Sequence, residues 1–148
     1  MTVSAGAAVL LNVTSQSAGT YTTNFGETTV PNNIGRDPGL IELMVVELNA
    51  TTVTTTVDVY IQHSVDGGSN YDDFINLHVA AAAIKYAQWS RSAVSATAAN
   101  NVHSKSDAAL TANTVLTGPV GSDWRIKVVT VGANSAYTLL ARQIQRTR

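Results

Sequence analysis

Three carboxylates gather around one sharp turn: Asp66, Asp72 and Asp73. Oxygen ligands on a loop suit Ca²⁺. The spacing lacks the alternating ligand series and terminal Glu of the helix–loop–helix calcium motif. The preferred expectation is therefore that Asp66 accepts turn amides while Asp72 and Asp73 are solvated. His63, His78 and His103 are the only histidines. His63 and His78 are expected to face each other across a hairpin. With no carboxylate placed as a third ligand, they read as a cross-strand polar pair and not as a metal site. Ser and Thr abound, but no Gly-x-Ser-x-Gly elbow exposes a nucleophile. The Glu residues are Glu27, Glu42 and Glu47; the last two fall on opposite faces of one strand, which disfavours a two-carboxylate acid–base site. No glycine motif could cradle a phosphate. These patterns argue against an enzyme, with no catalytic residue, cofactor or metal expected.

The 148 residues suit one domain, 1–148, and carry a formal net charge of −1 with 13% charged residues. Binding to nucleic acid through its phosphates needs a basic surplus, so direct nucleic-acid binding is not expected. No apolar run reaches the ~18–20 residues of a membrane-spanning helix, and Met1–Gly6 lacks a basic leader, so a soluble chain with no membrane partner is expected. Without Cys there is no disulfide framework. The basic side chains Arg142, Arg146 and Arg148 end the chain, as a partner contact or a frayed terminus. Asn12-Val13-Thr14 and Asn49-Ala50-Thr51 match the glycosylation acceptor pattern, which 11 Asn among 19 Thr produce by chance.

The elements that must position these groups are strands. Nineteen Thr and 18 Val, stiff at their first side-chain torsion, suit a pleated surface, whereas Lys and Glu number three each. Ala8–Val13 reads as a short strand after an arm, 1–7. Ser15–Phe25 is polar, anchored by Tyr21 and Phe25. Thr28–Gly39 is a loop with two prolines. Leu40–Leu48, apolar without alternation, suits a central strand. From Val53 to His63 the pattern alternates, placing Val57, Val59 and Ile61 on one face and Asp58, Tyr60 and Gln62 on the other. Asp66, Gly67 and Gly68 set the hairpin turn. Tyr71–His78 returns with Phe74, Asn76 and His78 on one side, Ile75 and Leu77 on the other. Ala80–Ala83 with Ile84, Tyr86 and Trp89 fits the start of a helix, and Ile84–Ser90 followed by a long arm fits a strand equally. Ser92–Asp107 has almost no large apolar side chains, and 92–112 reads as a long loop ordered by neighbours. Trp124, Ile126 and Val128 point inward with Arg125 and Lys127 outward, and Tyr137 and Leu139 line the last strand. About eight antiparallel strands at hairpin-like spacing predict an all-β, jelly-roll-like sandwich. Its expected core is Val57, Val59, Ile61, Phe74, Trp124, Ile126, Val128, Tyr137 and Leu139.

Two stretches carry a resemblance: Val57-Asp58-Val59-Tyr60-Ile61-Gln62-His63-Ser64-Val65-Asp66-Gly67-Gly68-Ser69-Asn70-Tyr71-Asp72-Asp73, and Leu116-Thr117-Gly118-Pro119-Val120-Gly121-Ser122-Asp123-Trp124-Arg125-Ile126-Lys127-Val128. Together they resemble small virion proteins of tailed bacteriophages, most of all the head decoration, or cement, proteins. That resemblance implies a non-enzymatic structural protein, made in the host cytoplasm and carried on the capsid surface. Its partners would be the major capsid protein and itself, as a homotrimer. A tail or neck protein of the virion is the alternative within the same resemblance. Ser64-x-Asp66-x-Gly68-x-x-Tyr71 also resembles the Asp-box hairpin of sialidases, which is a structural turn. A third reading is a carbohydrate-binding sandwich, for which Tyr60, Tyr86 and Trp89 are the candidate stacking platforms.

Overall fold

A computed structural model describes residues 2–25, 41–90, 105–116 and 123–147. Among these, all regular structure is β: β1 (Thr2–Gln16), β2 (Gly19–Phe25), β3 (Ile41–Thr52), β4 (Thr56–Ser64), β5 (Asp72–Val79), β6 (Ala83–Ser90), β7 (Asp123–Val131) and β8 (Ser135–Thr147). Strand 1 pairs with 8, 2 with 7, 3 with 6 and 4 with 5, all antiparallel. The chain is thus one long ribbon doubled back at the β4–β5 turn. Further pairing of β3 with β8 and of β4 with β7 rolls the ribbon into two sheets, ordered β1-β8-β3-β6 and β2-β7-β4-β5. This is the jelly roll.

Alternation decides which side chains meet between the sheets. Met44, Val46, Leu48 and Ala50 of β3 are buried while Val45, Glu47 and Asn49 are less so; the apolar run that looked unpatterned alternates once folded. Val57, Val59, Ile61, Trp124, Ile126 and Val128 face them from the second sheet, joined by Tyr137 and Leu139 from β8. Strand β6 resolves the ambiguity of Ala80–Trp89. It pairs with β3 from Ala83 to Ser90, and Trp89, with no exposed surface, fills the core. Burying that indole outweighs the helix propensity of the alanines.

One expected face is corrected. Ile61 pairs with Ile75, but Gln62 pairs with Asp73, so Phe74 is the extra residue of a β-bulge. The bulge turns Phe74 inward beside Ile75, away from the side of Asn76 and His78. There its ring meets Trp124 edge-on at 5.0 Å, His63 at 5.5 Å and Trp89 at 6.4 Å.

The expected arm is also corrected: residues 2–7 belong to β1 and pair along β8 from Thr147 to Arg142. The basic end of the chain is likewise strand, to Thr147. Paired backbone groups hold both segments where composition alone suggested loose ends. The proline loop, Arg91, His103 and the Gly118-Pro119 turn lie outside the described residues.

The connections sort by end. Residues 17–18, 53–55, 80–82 and 132–134 cross between the sheets as tight corners at one end. These corners are tied together: Thr130 Oγ1 donates to Ser17 O at 2.7 Å, Thr51 Oγ1 to Ala136 O at 3.3 Å, and Thr54 Oγ1 to Ala133 O. The β4–β5 connection, with the Asp66 turn, lies at the other end.

Candidate interaction surface

The outer face of the second sheet carries three rungs of polar residues. Asp58 lies between His78 and Val129, Tyr60 between Asn76 and Lys127, and Gln62 between Asp73 and Arg125. An alternating strand normally turns such residues to water, yet Gln62, Asp73 and Asn76 are buried. The cover is residues 105–116, an irregular strap lying across the face. Its backbone adds to the edge of β5: Asp73 N–H donates to Ser106 O at 2.8 Å, Asn76 N–H to Thr114 O at 2.9 Å, and Leu116 N–H to Phe74 O at 2.7 Å.

Two carboxylates fasten the strap. Asp73, 2% exposed, accepts from Gln62 Nε2 at 2.6 Å, Ser106 Oγ at 2.8 Å and the backbone N–H groups of Ala108, Ala109 and Leu110 at 3.0–3.1 Å. The expectation that Asp73 is solvated is therefore overturned. Asp72 is half-buried and accepts from Ser106 N–H at 3.1 Å. From the strap, Asp107 Oδ1 accepts from Gln62 Nε2 at 2.8 Å, Lys127 Nζ at 2.9 Å and Arg125 Nη2 at 3.2 Å. These donors, Lys127 first, hold its carboxyl below the usual carboxylate range. Arg125 also donates from Nε to Gln62 Oε1 at 2.7 Å and lies 4.1 Å over the Tyr71 ring. Burial, together with the Asp58 and Asp73 carboxylates and partly offset by the Asn76 amide, pushes the Tyr60 phenol up.

The turn at Asp66 closes on itself. Asp66 accepts from Ser64 Oγ at 2.7 Å, Asn70 N–H at 2.8 Å, Ser69 N–H at 3.1 Å and Asn70 Nδ2 at 2.6 Å. These donors push its carboxyl well below the ordinary range, the Asn70 side chain contributing most. Gly67 and Gly68 sit at φ of 71° and 83°, where a Cβ is strained. Ser64 and Asp66 of the Asp-box-like segment shape the hairpin, while Asn70 Oδ1 accepts from Lys105 Nζ of the strap at 2.6 Å.

The histidines do not meet. His63 pairs in register with Asp72, and His78 with Asp58, whose Oδ1 lies 2.9 Å from His78 Nδ1. The two rings lie at opposite ends of the hairpin and on opposite faces. Among the described residues no group of three or more His, Asp or Glu could hold a metal. Two of the three aromatic platforms are also withdrawn, since Tyr60 and Trp89 are buried; Tyr86 is 72% exposed.

Sequence reasoning missed the strap and its anchor. The signal was present in Asp73 and Gln62, polar residues opposite one another on a strand pair whose outer face had to be covered. Where the strap ends, Asn113 and Val115 stand off from β6 and leave a groove of about 550 Å³, also lined by Asn76, Leu77 and residues 84–88.

No family model and no curated protein matches the chain. Among solved structures, the cryo-EM structure of Broad Bean Stain Virus is similar over 100% of this chain and 87% of its own, at 12% identity and a TM-score of 0.39. That likeness is too slight to bear on function, and the jelly-roll assignment rests on the strand order alone.

Proposed function

We propose that this chain is a non-enzymatic structural protein of a virion, a head decoration protein of a tailed bacteriophage that bridges major capsid subunits as a homotrimer. The observation that carries the reading is the use made of the polar groups. Asp66, Asp73, Asp107, Gln62, Arg125 and Lys127 are engaged in fastening a turn and a strap, and none is presented to a substrate. A jelly roll of low charge and Thr-rich composition suits tiling against other protein surfaces. The resemblance of the Val57–Asp73 and Leu116–Val128 stretches to phage virion proteins supplies the particle.

The test is binding of purified protein to capsids that lack it. Saturable binding at hundreds of copies per particle is the expected result. A saturable count of a few dozen or fewer would move the chain to the tail or neck. Absence of binding to any particle would reject the virion role.

A further inference from the structure

We infer that the groove between β6 and the end of the strap is a binding site for a neutral, hydroxyl-rich ligand of the carbohydrate class. Its volume of about 550 Å³ falls in the small-ligand range of roughly 300–1,000 Å³. Side-chain amides ring it: Asn76, Gln88 and Asn113. Asn76 is 1% exposed and donates from Nδ2 to Leu110 O, while its Oδ1 has no hydrogen-bond partner among the described residues. A buried carbonyl oxygen left so is costly, and a small shift of the Asn76 side chain would turn it to a ligand hydroxyl in the groove that the residue lines. Asn113 sits at φ 56°, a left-handed conformation that Asn adopts readily. Its Oδ1 accepts from His78 N–H at 3.1 Å and Lys85 Nζ at 3.2 Å, which fixes the side chain at the rim with its NH₂ as a remaining donor.

The apolar part of the lining has the form sugars require. Leu77, Ala87 and Val115 line the groove, and Tyr86 stands exposed beside it as a flat surface for the C–H face of a pyranose ring. Charge narrows the class further. Among the described residues no carboxylate lines the groove, and the one cation there, Lys85, is already bound to Asn113. A strongly anionic ligand would lack a guanidinium fork, and a purely apolar one would leave the amides unmatched. The groove uses none of the groups that fasten Asp107 or shape the Asp66 turn. It therefore stands or falls apart from the virion role.

The test uses the full chain, isotopically labelled for amide NMR, with a glycan array followed by titration of the free sugars that score. The expected result is binding with shifts confined to Asn76, residues 84–88 and Asn113. Tyr86→Ala should weaken it about tenfold, the effect of one aromatic contact with a ligand ring. Its thermal midpoint should stay at the parent value, because the ring is exposed. Val65→Ser, at the distant turn, should bind as the parent does. An array without hits, together with no shifts from common hexoses and N-acetylhexosamines at millimolar concentration, would overturn the assignment. So would shifts elsewhere, or undiminished binding by Tyr86→Ala.

Discussion

Five donors converge on the Asp73 carboxylate, three of them backbone N–H groups of the strap. Ala108, at φ 58°, is held in a conformation that costs a residue with a Cβ about 1 kcal/mol, and its N–H bond to Asp73 helps keep it there. Removing the acceptor leaves buried donors unmatched. Asp73→Ala should lower stability by about 3–5 kcal/mol in urea denaturation, with faster amide exchange at residues 106–110. Asp73→Asn should rescue little, because an amide brings two N–H donors to a place crowded with donors. His63 sets a pH dependence. Burial lowers its pKa below 6.5, outweighing the Asp72 carboxylate. The unfolded chain then binds the proton more readily than the folded one. The stability gained by keeping His63 neutral is present above pH 6.5 and lost as pH falls below it toward the lowered value. Urea midpoints should fall from pH 7 to pH 5, and His63→Gln should flatten that slope. Below about pH 4 a second loss should follow, as the lowered carboxyls of Asp66 and Asp107 take up protons.

At the scale of elements, the corners are the places with least latitude. Gly132 lies at φ +88°, and a Cβ there would stand 2.8 Å from Thr55 Oγ1, 3.0 Å from Thr54 Cβ and 3.1 Å from the Thr55 backbone nitrogen. Space and backbone conformation both exclude a side chain. Gly132→Ala should cost about 1–3 kcal/mol by thermal denaturation. Gly67→Ala meets no neighbour within 4 Å, so only its φ of +71° opposes it and the loss should be smaller. Much at this scale was legible beforehand. The β4–β5 hairpin, the inward set on β7 and the Asp66 turn follow from period-two alternation and Gly-Gly. Phe74 was expected in the core and lies there, but its sharing a side with Ile75 was not legible, because one bulge residue reverses the parity of the rest of a strand. The His63–His78 pairing failed for the related reason that the register sets His63 against Asp72 and His78 against Asp58.

Across the whole molecule, β8 lies between β1 and β3, so the last strand made joins the first to the middle of the chain. A chain ending before Ser135 leaves β1 without its partner and removes Tyr137 and Leu139 from the core. Such a truncation should show no cooperative unfolding transition in circular dichroism. Refolding of the intact chain should be slow, in milliseconds to seconds, since its pairings are non-local. The residue types and their alternation were enough to declare strands, an approximate strand number and the inward face of β4 and β7, because side-chain periodicity is local and survives in a linear reading. Only the folded molecule decided that Ala83–Ser90 is a strand, that residues 2–7 are sheet, and that Asp73 anchors a strap about 35 residues further along the chain. Those outcomes depend on which distant segments arrive to supply a hydrophobic face or a set of donors, and burial of Trp89 or Asp73 is favourable only once they have.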